Sequence, residues 1–274
     1  MKKELIAQRN PKSPISEMFR TLRTNIQFMS AQKHLKTILV TSTMPGEGKS
    51  WVSSNLAITF AQTGKKVLLI DADMRKGRVA QLFQVNKVPG LSNLLSGIDE
   101  KGINKEIDPL NYVNKTEIEN LFVIPSGNVP PNPAELLETQ KTIEILEQYK
   151  EVFDVIILDG TPGILVTDAI ILSRIVDTTL IVASHKTTQK DDIVKVKRSI
   201  ENVGGKIAGV ILNKTPVKAK QYNNSYYYGS KTATNNIRHR RTEVDNAQTT
   251  NNISESKQKE ILAQLNEYKN RGNN

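Results

Sequence analysis

Residues 41–57 read TSTMPGEGKSWVSSNLA. The stretch is close to a phosphate-binding loop, yet Thr43 stands where G-x-x-x-x-G-K-[ST] carries its first glycine. Its setting decides the reading. KTILVTS (36–42) ahead of it has the composition of a buried strand. SWVSSNLAITFAQTG (50–64) behind it predicts an amphipathic helix stopped by Gly64. A strand, a glycine-bearing turn and a helix, in that order, make an anion site. Gly46 and Gly48 let backbone N–H groups turn inward, and the helix N-terminus adds its positive end. Lys49 is spaced to reach β- and γ-phosphates, and Ser50 to hold Mg²⁺. The first glycine only opens the turn, so Thr43 is tolerable there.

Outward from this loop, apolar runs alternate with helical patterns. Strands are predicted at 65–73 (KKVLLIDAD), 120–127, 153–160 (FDVIILDG), 178–185 and 206–214. Helices fit at 15–29, 134–149, 168–176 and 188–202, with a short terminal one at 261–268. Near-continuous Val, Ile and Leu marks strands covered on both faces. The alternation predicts an α/β fold of the P-loop NTPase kind: a doubly wound, mostly parallel sheet flanked by helices, with ligands at the carboxyl ends of its strands. Three regions follow. Residues 1–35 form an N-terminal segment with a helix, 36–215 the P-loop domain, and 216–274 a flexible basic tail.

A triphosphate site needs carboxylates for its metal. Asp71 and Asp73 end the second strand, and a period of two puts both on one side of an extended chain. Asp159 closes VIILD, the position of a Walker B metal ligand. One aspartate at a strand end is commonly a helix cap. Three of them beside a GKS loop point to a nucleotide–magnesium site.

Composition sets bounds. The chain has 274 residues, 38% of them hydrophobic, no cysteine, and histidines only at 34, 185 and 239. Thiolate and histidine metal centres are therefore excluded or improbable, and a reducing compartment fits. No apolar run approaches a membrane span, and MKKELIAQRNPKSP lacks the apolar core of a signal peptide. Net charge is +10. From Lys214 onward eleven Lys/Arg face five Asp/Glu, so the tail carries six of those charges. Such a tail suits an anionic lipid, a nucleic acid or an acidic partner, or is simply solvated. RHRR (238–241) could contact phosphates. The tail's tyrosines are adjacent rather than spaced for base stacking, so no nucleic-acid partner is expected.

These residues together resemble the bacterial tyrosine kinases of capsule and exopolysaccharide synthesis, from about residue 11 to 230. PGEGKS (45–50) resembles their Walker A, and IDADMR (70–75) their second acidic motif, with its D-x-D-x-R order intact. Glu17, Arg20 and Arg23 match an E-x-x-R-x-x-R helix that mediates ring-like self-association. SGNVPPNPAELL (126–137) resembles a further family segment, and SYYYG (225–229) the autophosphorylated tyrosine cluster. The sequence departs from the family in three places. Walker B is followed by Gly-Thr-Pro-Gly rather than ending in Thr-Pro-Pro. Trp51 stands where Thr is common. The chain also continues some way past the tyrosines.

The resemblance implies an ATP- and Mg²⁺-dependent protein-tyrosine autokinase. Pro45, Gly46, Glu47, Gly48, Lys49, Ser50, Trp51, Arg75 and Asn213 would meet the nucleotide. Ser50, Asp71, Asp73 and Asp159 would meet the metal, and Lys49, Asp71, Asp73 and Asp159 would carry catalysis. Asp71 is the better base candidate, with its role and that of Asp73 unseparated. Acceptors would be Tyr226, Tyr227 and Tyr228, with Tyr222 a further one. Implied partners are other copies of the chain in a ring, a membrane-embedded activator acting through its cytoplasmic tail, a cognate phosphatase and protein substrates. The implied location is the cytoplasmic face of the cell membrane, reached through that activator. Two alternatives remain. Partitioning and septum-positioning ATPases share the fold but carry an extra lysine where this chain has Met44. A non-catalytic nucleotide-binding regulator is the other, against which the full set Lys49, Ser50, Asp71, Asp73 and Asp159 speaks.

Overall fold

The computed structural model describes residues 4–33, 35–97 and 108–216. In chain order the helices are α1 (Ile6–Arg9), α2 (Pro14–Lys33), α3 (Lys49–Ala61), α4 (Val79–Phe83), α5 (Leu91–Ser96), α6 (Pro133–Glu138), α7 (Gln140–Val152), α8 (Asp168–Ile175) and α9 (Lys190–Asn202). The strands are β1 (Thr37–Ser42), β2 (Val67–Asp71), β3 (Asn114–Lys115), β4 (Leu121–Ile124), β5 (Val155–Pro162), β6 (Thr178–Ser184) and β7 (Ile207–Asn213). They form one seven-stranded sheet in the order β3-β4-β2-β5-β1-β6-β7. Every pairing is parallel except the antiparallel edge pair β3–β4.

Strand alternation sorts the core into two layers. Ile38 and Val40 of β1, Val67 and Leu69 of β2, and Val155 and Ile157 of β5 join the cluster under α1–α4. Leu39, Leu68, Ile70, Ile156 and Leu158 join the cluster under α5–α8. Asp71 and Asp159 continue the odd-numbered series of their strands, and so belong to the α3 face at the strands' carboxyl ends. From β1 the chain winds to β2 on one side and later returns to β6 on the other. The strand order thus switches at β1, and the loop after β1 opens on the crevice where such sheets bind ligands.

All six predicted strands are present. β3 escaped notice because two residues on an edge carry no periodic signal. The helix read across 134–149 is two helices. Thr139 is extended (ψ 149°), its hydroxyl bonds the carbonyl of Leu136, and α7 starts beyond it. The amphipathic reading of α3 is corrected. From Val52 to Ala61 every residue is buried, because the sheet covers one side and α1 and α2 the other. Most of its polar residues find partners there, the Ser54 hydroxyl being an exception. Asn55 accepts from the Ala7 amide (2.9 Å) and donates to the carbonyls of Glu4 (3.0 Å) and Trp51 (2.8 Å), which fastens α1. α3 ends at Ala61 rather than at Gly64, which lies beyond it at φ +81° in the turn to β2. Among the described residues no helix is long and apolar enough to cross a membrane. The predicted helix at 261–268, and the tyrosines at 222 and 226–228, lie outside the described residues.

Candidate functional site

The loop between β1 and α3 has a phosphate-cradle backbone. Gly46 (φ +82°) and Gly48 (φ +100°) both lie in the left-handed region. Gly48 is also in close contact with Asn213, leaving no room for a side chain. Asn213, at the end of β7, donates its amide to the Glu47 carbonyl at 2.8 Å, and Lys214 reaches the Gly46 carbonyl at 2.7 Å. The sheet edge thereby holds the loop from outside. The Glu47 carboxylate points into the loop and accepts from its own backbone. The Trp51 ring packs edge-on against Phe19 of α2, centroids 5.1 Å apart, as a partly buried member of the core on that face.

Lys49 crosses the crevice to Asp73 at 2.9 Å. Burial works against its ammonium, but Asp159, Asp73 and Asp71 outweigh that and hold its pKa above the ordinary lysine value. Asp73 also accepts from the Lys76 amide at 2.8 Å. Asp71 and Asp159 are register partners across β2 and β5, and both are fully buried. Asp71 Oδ2 accepts from the Val79 amide at 2.9 Å. Its Oδ1 and both oxygens of Asp159 have no hydrogen-bond partner. Burial, then the charge of Asp159, pushes the Asp71 carboxyl well above the usual range. Burial raises Asp159 as well, opposed by Lys49 and by the nearby hydroxyls of Ser50 and Ser53, although neither hydroxyl closes a hydrogen bond to it. Gly77 makes this crowding possible, since a Cβ there would meet Asp71 Oδ2 at 2.5 Å.

Orphaned carboxylate oxygens facing a lysine and a phosphate-type loop are the donors that a magnesium–triphosphate complex takes. Among the described residues no three acidic or histidine side chains already form a metal cage. Magnesium bound with a nucleotide uses one or two protein oxygens and fills its shell with phosphate and water. Ser50 and Asp159 fit that requirement, with Asp71 and Asp73 beside them.

Arg75 is placed differently. Its Nε and Nη2 form a two-point pair with Asp168 (3.0 and 3.1 Å), the fully buried first residue of α8. That pair keeps its pKa raised and ties the second acidic motif to α8. Glu17 pairs with Arg20 at 2.7 Å on the exposed face of α2, while Arg23 turns inward to the Thr59 carbonyl at 2.9 Å. Asp168, Thr188 and Lys214 were not among the predicted site residues. Their partners lie 93 to 168 positions away in sequence, beyond any local spacing signal.

Residues 35–211 match the family profile of the AAA domain. Tyrosine-protein kinase YwqD of Bacillus subtilis is 38% identical over 231 residues, 84% of this chain and 93% of its own. Tyrosine-protein kinase CpsD of Streptococcus agalactiae is 37% identical over 216 residues, 78% of this chain and 90% of its own. Among solved structures, the chimerical protein CapA2B2 superposes with a TM-score of 0.72 at 36% identity, covering 79% of this chain and 92% of that one.

Proposed function

This chain belongs to the bacterial tyrosine-protein kinases, and we propose that it is an ATP-dependent autokinase acting on its own tail. The observation that carries this reading is the gathering of Lys49 with Asp71 at the end of β2, Asp73 just beyond it and Asp159 of β5 beside the Gly46–Ser50 loop. Backbone amides of 46–51 and the Lys49 ammonium hold the triphosphate. Ser50 and Asp159 would hold a magnesium ion, which would supply charge neutralisation to the transferring phosphates. Phosphoryl transfer is then mainly positioning and electrostatics. A tyrosine oxygen bonds to the γ-phosphorus, the bond from that phosphorus to the bridging oxygen breaks, and ADP leaves. The tyrosine proton, with a pKa near 10, goes to a carboxylate. Asp71 suits this role better than Asp73. It has a free oxygen and a raised pKa, whereas Asp73 is engaged by Lys49 and the Lys76 amide.

The acceptors in this reading are Tyr226, Tyr227 and Tyr228, with Tyr222 beside them. They are offered to a neighbouring copy in a ring assembled through the Glu17–Arg23 helix. Phosphate on the tail adds negative charge near that interface and loosens the ring, so kinase cycling becomes an assembly cycle serving capsule or exopolysaccharide synthesis. A membrane-embedded activator would bring the kinase to the inner face of the membrane and order the site. A phosphatase would reset the tail. The test mixes the active full chain with a mass-tagged Lys49→Met chain, ATP and Mg²⁺. Phosphate on residues 222–228 of the tagged inactive copy supports transfer between subunits. Phosphate confined to the active copy contradicts it.

A further inference from the structure

Glu47 lies inside the motif, and its side chain is taken up by the protein's own donors. It is 5% exposed and fully engaged. One carboxylate oxygen accepts from the amides of Thr43 (2.7 Å) and Met44 (2.9 Å). The other accepts from the Thr43 hydroxyl (2.7 Å) and from the Thr188 hydroxyl in a short contact. Among the described residues it makes no ion pair, so four neutral donors hold its charge. Thr188 in turn accepts from the Ser184 amide at 2.7 Å, at the end of β6. One carboxylate therefore joins the opening of the phosphate loop to the turn between β6 and α9.

This arrangement explains the missing glycine. Thr43 is not among the residues with positive φ, so its backbone does not require glycine. Its hydroxyl supplies a bond that glycine could not. The loop has exchanged a flexible first position for one fixed by a side chain.

We propose that Glu47 is a positioning residue for ATP binding: through Thr43 and Thr188 it locks the phosphate loop to the β6–α9 turn in its open, binding-ready shape. The inference rests on the reading that the site takes ATP. Pre-organised backbone donors contribute affinity because the nucleotide need not order them. Loss of the brace therefore falls on binding rather than on the chemical step.

The test measures ATP·Mg²⁺ affinity by calorimetry, and KM and kcat for autophosphorylation, on the full chain. Thr43→Gly restores the common motif, yet is expected to weaken ATP binding about tenfold, as loss of a hydrogen bond to a charged group does, with the rise in KM rather than in kcat. Thr43→Ser, which keeps the hydroxyl, recovers most of that loss. Thr188→Val weakens binding in the same direction. Glu47→Ala weakens it more, and should it fail to fold, the two threonine variants decide. The proposal is overturned if Thr43→Gly binds ATP as tightly as the parent, or if Thr43→Ser is no better than Thr43→Gly. A parent chain that binds no ATP overturns the proposed function itself, a separate outcome from a parent that binds and variants that do not differ.

Discussion

Asp71 on β2 and Asp159 on β5 lie opposite one another in register, and three of their four carboxylate oxygens have no hydrogen-bond partner. Two buried, mutually repelling carboxylates are a cost to the fold retained for what they bind. Both titrate above the ordinary range in the folded chain, first because of burial. The folded state thus holds protons that the unfolded state has released. For this pair stability is highest below about pH 4 and falls as pH rises through the folded values. Asp159→Asn removes the penalty. It is expected to raise the melting temperature at pH 8 by about 2–4 °C, to have little effect at pH 4, and to abolish tyrosine phosphorylation. Melting curves at both pH values check this. A lowered melting temperature at pH 8 contradicts it.

Asp177 behaves in the opposite sense. Burial works against its charge, but the Thr37 and Lys36 amides (both 2.8 Å) and the Thr37 hydroxyl (2.9 Å) prevail and lower its pKa. A depressed carboxylate stabilises the fold above its unfolded pKa of about 4 and loses that effect as pH falls through the folded value. Asp177→Ala is expected to cost about 1–2 kcal/mol at pH 7 and less near pH 3, as read by urea unfolding at each pH.

On α2 the motif residues divide by position. Glu17 is exposed, whereas Arg23 is bound to the Thr59 carbonyl of α3. Glu17→Ala is expected to reduce assembly with the melting temperature unchanged. Arg23→Ala is expected to lower the melting temperature as well, by a few degrees for about 1 kcal/mol. Light scattering beside thermal melts separates the two. Equal loss of stability in both variants would mean that the motif acts only within the chain.

Gly163 replaces a proline common in the family, and its amide donates to the Ser42 carbonyl at 2.8 Å. A Cβ there would meet Val196 Cγ1 at 3.1 Å. Gly163→Pro is therefore expected to destabilise this chain by about 1–2 kcal/mol despite restoring the family residue. A raised midpoint in urea unfolding would count against this account.

The sheet was legible because its strands are unbroken Val/Ile/Leu runs, and the loop because a GKS turn sat between such a strand and a helix. Asp71 was legible as a strand end, whereas β5 runs past Asp159 to Pro162, and the register of the two was not legible, because pairing across a sheet leaves no mark in local spacing. The Arg75–Asp168 pair and the Trp51–Phe19 ring contact were not legible for the same reason, since their members lie apart along the chain. Thr139 shows how one hydroxyl divides a helix whose apolar period runs on unbroken. The buried polar face of α3 follows from α1 and α2 folding back over it, a tertiary event that helical periodicity does not encode.

The most direct test of the central claim is mass mapping of phosphate after the full chain is incubated with ATP and Mg²⁺, with and without an activator's cytoplasmic tail. The account predicts phosphate on the tyrosines at 222 and 226–228, strengthened by the activator and lost in Lys49→Met. Release of inorganic phosphate with every one of those tyrosines unmodified would contradict it, and would leave an ATPase switch in its place.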